Sequence, residues 1–483
     1  MAFATTRAAK PAARWRGDDF PAWLSPMLVK ELRQGIQSGA FAWTFIALQA
    51  VMFLAMATTL VWRDGGMGDN PALFWVPVAL AVAVVIPLRG LGAVSTERTG
   101  NNLDLVRLTH LSARRIVAGK WLAIVAQSAL LATAVLPYLV LRYFFGGVNV
   151  VADLAAFGWM LVAALLVAAA AVAASTRPVR ERIALVILVF FAGNLALQAV
   201  AFSLGMGGGR PWTPAFAGLA FAGLYTVLLL EYAASAIAPP AENHAAAKRG
   251  VAVILAAAWC LSAVLGGRDT FPLVAWATAI PLVAVAIEAL CERPSRLESI
   301  AAPFARRGAA GRAASFLFMP GWATGLTLVT ILGAACGGAG IAYASRYAGG
   351  EMKYFACLAV LAHAAVVFPL PAVVAFMNTS RRHLVYGVVQ VACLVVLALT
   401  GMAQVGVGEP SLAPVAPFPL AAFLWSLGAN DRARMTLAMA AALVTIVVYG
   451  LVIGPWRREM GVARRMVAAA RGRHDDDDAE AGA

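Results

Sequence analysis

The chain has 483 residues, of which 61% are apolar and only 13% are charged. A soluble globular chain is about a quarter charged and under half apolar, so this composition excludes a water-soluble protein and makes lipid the main solvent. The formal net charge of +14, from 38 basic and 24 acidic residues, has to be read loop by loop, because in a membrane protein its distribution sets the orientation.

Residues 1–24 are rich in Ala, Arg and Pro and read as a disordered cytoplasmic N-terminus. Residues 25–40 read as an amphipathic interfacial helix. Ser25 suits its cap, and Pro26 suits its first turn, where a missing N–H costs nothing. Leu28, Leu32 and Ile36 recur every four residues while Lys30, Glu31, Arg33, Gln34 and Gln37 cover the other face, the pattern of a helix lying in the membrane surface.

A spanning helix needs roughly 20 apolar residues at about 1.5 Å each. About twelve such runs follow, near 41–62, 71–93, 121–145, 154–174, 182–204, 212–237, 249–266, 271–291, 322–345, 354–376, 383–402 and 434–456. They are continuous in Ala, Leu, Val and Ile rather than alternating, so the expected fold is an all-α polytopic membrane protein and not a barrel. The first run starts behind forty more polar residues and reads as an anchor rather than a cleaved signal. Cys260, Cys291, Cys336, Cys357 and Cys393 stand singly, without metal-site or disulfide-framework spacing.

If both termini share one side, 29 of the 38 basic residues fall on that side. Both termini are therefore expected in the cytoplasm, with the protein in the inner (plasma) membrane. The runs divide into a first six-helix module, 41–237, and a second of about six helices, 238–456, around the basic loop 291–320. Residues 403–434 hold four prolines around a short apolar segment, 411–428, too brief to span and expected to be re-entrant or interfacial. The tail 457–483 is basic and then acidic, and its Asp475–Asp478 block reads as a solvated, disordered end. No basic loop is interleaved with aromatic residues, which argues against nucleic-acid binding and leaves anionic lipid as the partner of the positive charge.

The loop 95–121 is the most informative stretch. Glu97 and Arg98 lead into Leu103, Asp104, Leu105, Val106 and Leu108, a short apolar-rich run ended by Thr109 and His110. Ser112 then suits an N-cap, with Leu111 and Ile116 placed as a hydrophobic staple, so Ala113 to Lys120 is expected to begin the third span. Two short helices at a fixed angle make a lever that passes a push from a soluble partner into a transmembrane helix.

At these residues the chain resembles the membrane subunits of type-2, exporter-associated ATP-binding-cassette (ABC) transporters. Their surface helix reads roughly Pro, apolar, apolar, Lys or Arg, Glu, apolar, Arg, and the run from Pro26 through Leu28, Lys30, Glu31 and Leu32 to Arg33 is similar to it. Their loop pattern is met at Glu97, Arg98, Leu103, Asp104, Leu105, Thr109, Leu111, Ser112, Ile116, Gly119 and Lys120, with Arg114 and Arg115 at the basic or polar pair. Thr99, Asn101, Asn102 and His110 depart from it. The resemblance covers about 25–145 well, extends by span count to 237, and implies that 97–120 couples the chain to a separate ABC ATP-binding subunit. That subunit would act as a dimer and hold the ATP and Mg, facing two permease chains or two halves of one.

No phosphate loop occurs here, since Gly119 and Lys120 are followed by Trp121. This chain is thus expected to bind no cofactor or metal and not to be an enzyme by itself. Ion coupling needs ionisable groups deep in the bilayer. Arg89, Arg142, Glu231 and Glu288 lie near span ends, where long side chains can reach the interface, and His363 alone is central, expected to bond a backbone carbonyl. Gln49, Gln127, Asn194, Gln198 and Gln390 read as helix-packing amides, and Gly333 with Gly337 as a close-packing face. The expected function is the permease subunit of an ATP-driven exporter; the alternatives are an ion-coupled secondary transporter and a non-transporting scaffold.

Overall fold

The computed structural model describes residues 26–61, 71–95, 112–145, 150–176, 212–268, 270–347, 352–379, 381–403, 415 and 417–481. Among them every element is helical, and eleven helices are long and apolar enough to cross a membrane. The chain is an all-α, multi-pass membrane protein. The span expected at 182–204 lies outside the described residues, and each of the other eleven expected spans is present. The chain divides into two compact units, residues 1–182 and 183–483.

In the first unit, α1 (Pro26–Ile36) and α2 (Gly39–Val61) meet at a tight turn. Ser38 closes it: its Oγ donates to Gly35 O at 2.7 Å and accepts from Phe41 N at 3.3 Å. Next comes α3 (Pro71–Ala79), which runs on through a π-helical turn (Leu80–Val85) and a final α turn (Ile86–Leu88) into a 3-10 turn (Arg89–Gly92). Pro87 explains the irregularity, because its ring clashes with the carbonyl four residues back and it has no N–H to give; widening the preceding turn relieves both.

The third span is α4 (Ala113–Thr133) followed by α5 (Leu136–Phe145), interrupted just before Pro137. The interruption takes Ala134 O out of the helical ladder, and Gln49 Nε2 of α2 donates to it at 3.5 Å, so this amide packs helices as expected. The unit closes with α6 (Val150–Ser175), whose alanines 168–171 are buried on the side that packs on the turns following α3 (Leu80–Gly92) and on α4. Small side chains let the backbones approach, which matters where lipid supplies no hydrophobic drive between helices.

The second unit holds α7 (Trp212–Ile237), α8 (Ala245–Leu265), α9 (Thr270–Cys291), α10 (Glu298–Ala305), α11 (Gly308–Phe318), α12 (Trp322–Tyr347), α13 (Met352–Val367), α14 (Leu370–Ala375), α15 (Arg382–Ala403), α16 (Pro419–Ser426) and α17 (Asp431–Ala481). At its centre α12 packs on α8, α9 and α13. A Cβ on Gly325 would stand 2.1 Å from Ala289 O of α9, and one on Gly337 would stand 2.9 Å from Ala359 Cβ of α13. The Gly333 and Gly337 face is indeed a packing face.

Two segments are more ordered than the sequence suggests. The basic loop folds as α10 and α11, with Ile300, Ala301, Phe304 and Ala305 buried. The last span does not end at 456: α17 continues as helix to Ala481, contrary to the disordered end expected of the Asp475–Asp478 block. The extension is held by packing, since Val467 and Ala470 bury against Ala301, Phe304, Ala305 and Met319, and Arg473 pairs with Glu298 at 2.9 Å. The eight-residue α16, too short to cross, packs on α13, α15 and α17 with Ala421 and Ala422 fully enclosed.

Candidate functional site

The described residues of the surface helix and of the end of the loop fall around one junction, where α1 lies along the start of α4. From α1, Leu28, Glu31, Leu32 and Gly35 are partly covered, while Lys30 and Arg33 are exposed. From α4, Ile116, Gly119, Lys120, Ala123 and Gln127 are buried at helical spacing, and Arg114 and Arg115 are exposed. Pro26 begins α1, as its lack of an N–H favours. Glu97, Arg98, Leu103, Asp104, Leu105, Thr109 and Leu111 lie outside the described residues.

Charge ties the two helices together. Lys120 Nζ donates to Glu31 Oε1 at 3.0 Å, with the lysine side chain only 3% exposed. A buried ammonium without a partner is costly, so this pair fixes the register of α1 on α4. One turn further along, Arg89 from the end of α3 donates to Gln127 Oε1 at 2.8 Å, to Ser38 Oγ at 2.5 Å and to Gly35 O. Arg89, half-buried, thus spends its guanidinium on acceptors of α1, the α1–α2 turn and α4. Gln127 is positioned in turn by its own Nε2, which donates to Ala123 O at 3.1 Å. A Cβ on Gly35 would stand 2.1 Å from Gln127 Nε2, so any larger residue there would have to displace the Gln127 amide.

Ser112 occupies the cap position of α4: its backbone is extended, and its carbonyl accepts from Arg115 N and Ile116 N at 3.0 and 3.2 Å. Its hydroxyl makes no capping bond, so the expected side-chain cap is corrected to a backbone one. At the far side Trp121 Nε1 donates to Leu165 O of α6 at 3.1 Å, and Val94 N to Ser175 Oγ at 3.3 Å. The surface helix, the end of α3 and the starts of α2 and α4 are thus stapled together by polar side chains.

The second unit has its own buried polar network, of which the sequence singled out only Glu231 and Glu288, as span-end residues. Arg249, 1% exposed, donates to Leu317 O, Met319 O, Gly321 O and Thr324 Oγ1 at 2.7–2.9 Å and to Glu292 Oε2 at 2.6 Å. It closes the end of α11 onto the start of α12. Lys248 pairs with Glu288, and His244 lies 2.9 Å from both Glu231 and Glu242. Glu231 and Glu288 thus have partners within the protein, and Arg142 pairs with Asp153 at 3.2 Å.

His363 is also corrected. Its Nε2 faces the Tyr449 hydroxyl of α17 at 3.1 Å, not a carbonyl, and that hydroxyl meets Thr330 Oγ1 of α12. Gln390 Nε2 donates to Ala365 O at 2.8 Å and packs α15 on α13; Asn194 and Gln198 lie outside the described residues. A lone basic pair such as Lys248 and Arg249, flanking an alanine-rich run, is the only signal that could have pointed to the second network. No protein-family model matches the chain, and no curated protein or solved structure matches it.

Proposed function

We propose that this chain is the permease subunit of an ATP-driven type-2 ABC transporter, an exporter, powered by a separate ATP-binding subunit. The observation that supports the reading is the junction of α1 with α4. The segment resembling a coupling loop runs directly into a helix whose first turns are locked to the surface helix by Lys120 and Glu31 and to the end of α3 through Arg89 and Gln127. A push on the loop or on α1 would not be absorbed locally. It would be delivered to α2, α3 and α4 together, which is what alternating exposure of a path between bundles needs.

In this reading the chain binds no nucleotide, both termini face the cytoplasm, and the protein resides in the inner membrane. Two ATPase subunits would act on two copies of the chain or on its two halves. A second reading, ion-coupled transport, draws on the contact of His363 with Tyr449 and Thr330. Purification of the full chain from its native membrane in mild detergent, with ATP turnover measured on the eluate, separates the two. ATP turnover residing in a second, stoichiometric polypeptide is expected. An eluate without ATPase, together with proton-driven uptake lost in His363→Ala, would replace the first reading with the second.

A further inference from the structure

The connection from α7 to α8 passes through Pro239, Pro240 and Ala241, all exposed, and turns where Glu242 N donates to Pro239 O at 3.1 Å. Behind it sits His244, only 5% exposed. Each of its ring nitrogens meets a carboxylate oxygen at 2.9 Å, Nδ1 that of Glu231 near the end of α7 and Nε2 that of Glu242 in the connection.

Those two distances set a proton count. A neutral imidazole has one N–H and one lone pair, so it donates to one carboxylate and turns a lone pair on the other. Two ionised carboxylates at hydrogen-bond distance are satisfied together by an imidazolium, which donates on both sides. The two acids differ in access to water: the Glu231 side chain is 11% exposed and that of Glu242 33%. The ring therefore exchanges its proton on the Glu242 side.

The surrounding charges do not supply a substitute for that proton. On α8 itself Lys248 pairs with Glu288 of α9, and Arg249 pairs with Glu292. From α7, Tyr232 gives its ring face to Lys248 at 5.3 Å. The end of α11 approaches through Phe318 O, which accepts from Asn243 Nδ2 at 3.5 Å, and the one charged residue of that helix, Arg312, is exposed. Ser299 of α10 donates to Ala241 O at 3.4 Å, while Glu298 of the same helix pairs with Arg473. The start of α12 brings Thr324 and no charge. Two acids thus match two bases nearby, and Glu231 and Glu242 add two negative charges directly against the ring.

We propose that Glu231, His244 and Glu242 form a proton-binding clamp. With the proton bound, the imidazolium ties α7 and the α7–α8 connection to the start of α8; its loss releases Glu242, the more exposed arm. The folded clamp binds the proton, so its contribution to stability is present on the acid side and lost as pH rises. The same connection holds α10 through Ala241 and α11 through Asn243, so release is passed to both. The clamp needs no ATPase partner and operates whichever transport reading applies.

The test uses the full-length protein in a neutral detergent. Imidazole protonation is read from ¹⁵N resonances, and hydrogen exchange of 238–246, corrected for its intrinsic pH dependence, is read by mass spectrometry. The range runs from about pH 5 to about pH 9, which brackets the ordinary imidazole value and stays above the ordinary carboxylate values. The chain has five histidines, so the His244 signal is the one absent from His244→Gln. Both ring nitrogens are expected to be protonated at the acid end and one at the basic end. Protection of 238–246 should fall about tenfold over the same transition, the loss of one charge-assisted contact. In Glu242→Gln the ring should titrate at lower pH than in wild type, and protection should no longer follow it. Glu298→Gln, which removes a carboxylate from α10, should behave as wild type. Should His244→Gln fail to fold, the resonance moved by Glu242→Gln identifies the ring. An equal titration in wild type and Glu242→Gln overturns the proton site. Protection that ignores the ring in wild type, or still follows it in Glu242→Gln, overturns the clamp. A ring that keeps both protons to the basic end overturns the switch and leaves a fixed ion triad.

Discussion

Lys120, near the start of the third span, is buried and its ammonium lies 3.0 Å from the Glu31 carboxylate of the surface helix. Eighty-nine residues separate the two in sequence, yet the pair sets how α1 lies on α4. Glu31 is 22% exposed and Lys120 3%, so removing the acid takes a close charge partner from a buried ammonium. Glu31→Ala is predicted to cost about 2–4 kcal/mol, read as a lower melting temperature in detergent. Glu31→Ala/Lys120→Met should recover part of that loss, because it removes the buried charge together with its partner. A double variant no more stable than Glu31→Ala would show that the pair is incidental.

Gly35 and Gln127 share one space, and the glycine leaves room for the amide. Gly35→Ala is predicted to displace the Gln127 side chain from Arg89 at a cost of about 1–2 kcal/mol. The same substitution in a Gln127→Ala background should cost less, since the obstructing amide is gone. Purely additive melting shifts across the four proteins would contradict the contact.

Glycines of α12 give a contrast of sign. At Gly325 a methyl group would meet the Ala289 carbonyl at 2.1 Å, whereas at Gly338 it would meet nothing within 4 Å. Gly325→Ala should force α12 from α9 at a cost of about 1–3 kcal/mol, and Gly338→Ala should be neutral or stabilising by up to about 1 kcal/mol. Thermal melts of the two variants beside wild type decide it, and equal effects would refute the packing.

Arg249 serves five acceptors from a position 1% exposed. A lysine there keeps the charge and loses the fork, so Arg249→Lys is predicted to cost about 3 kcal/mol or more. The connection from α11 to α12 should open first, giving early proteolysis within 308–322. Proteolysis at the wild-type rate would mean that the carbonyls are held by other donors.

The apolar runs made the spans legible, because in lipid a helix must be both apolar and about 20 residues long. The 3.6-residue repeat of Leu28, Leu32 and Ile36 likewise announced α1, although Ile36 is 37% exposed and the covered face turns through Glu31 and Gly35 instead. Glu31 and Lys120 were visible as residues of interest but not as a pair, since no local pattern links positions so far apart. Arg89, Ser38, Gly35 and the Arg249 network were not legible as sites for the same reason. A charge near a span end looks identical in sequence whether it reaches for headgroups or caps a carbonyl inside the protein. The fold of the basic loop and of the long α17 depends on Val467 and Ala470 meeting Phe304 and Met319, contacts across roughly 150 residues that no periodicity encodes.

The central claim is that a separate ATPase pushes on the loop leading into α4. It is tested most directly by affinity purification of the intact chain and of a Glu97→Ala/Leu105→Asp variant from the native membrane, with copurifying ATPase quantified in both. The account predicts a stoichiometric ATP-hydrolysing subunit with the intact chain and its loss from a variant that remains folded. An intact chain that carries no ATPase, or a folded variant that retains it fully, would contradict the account.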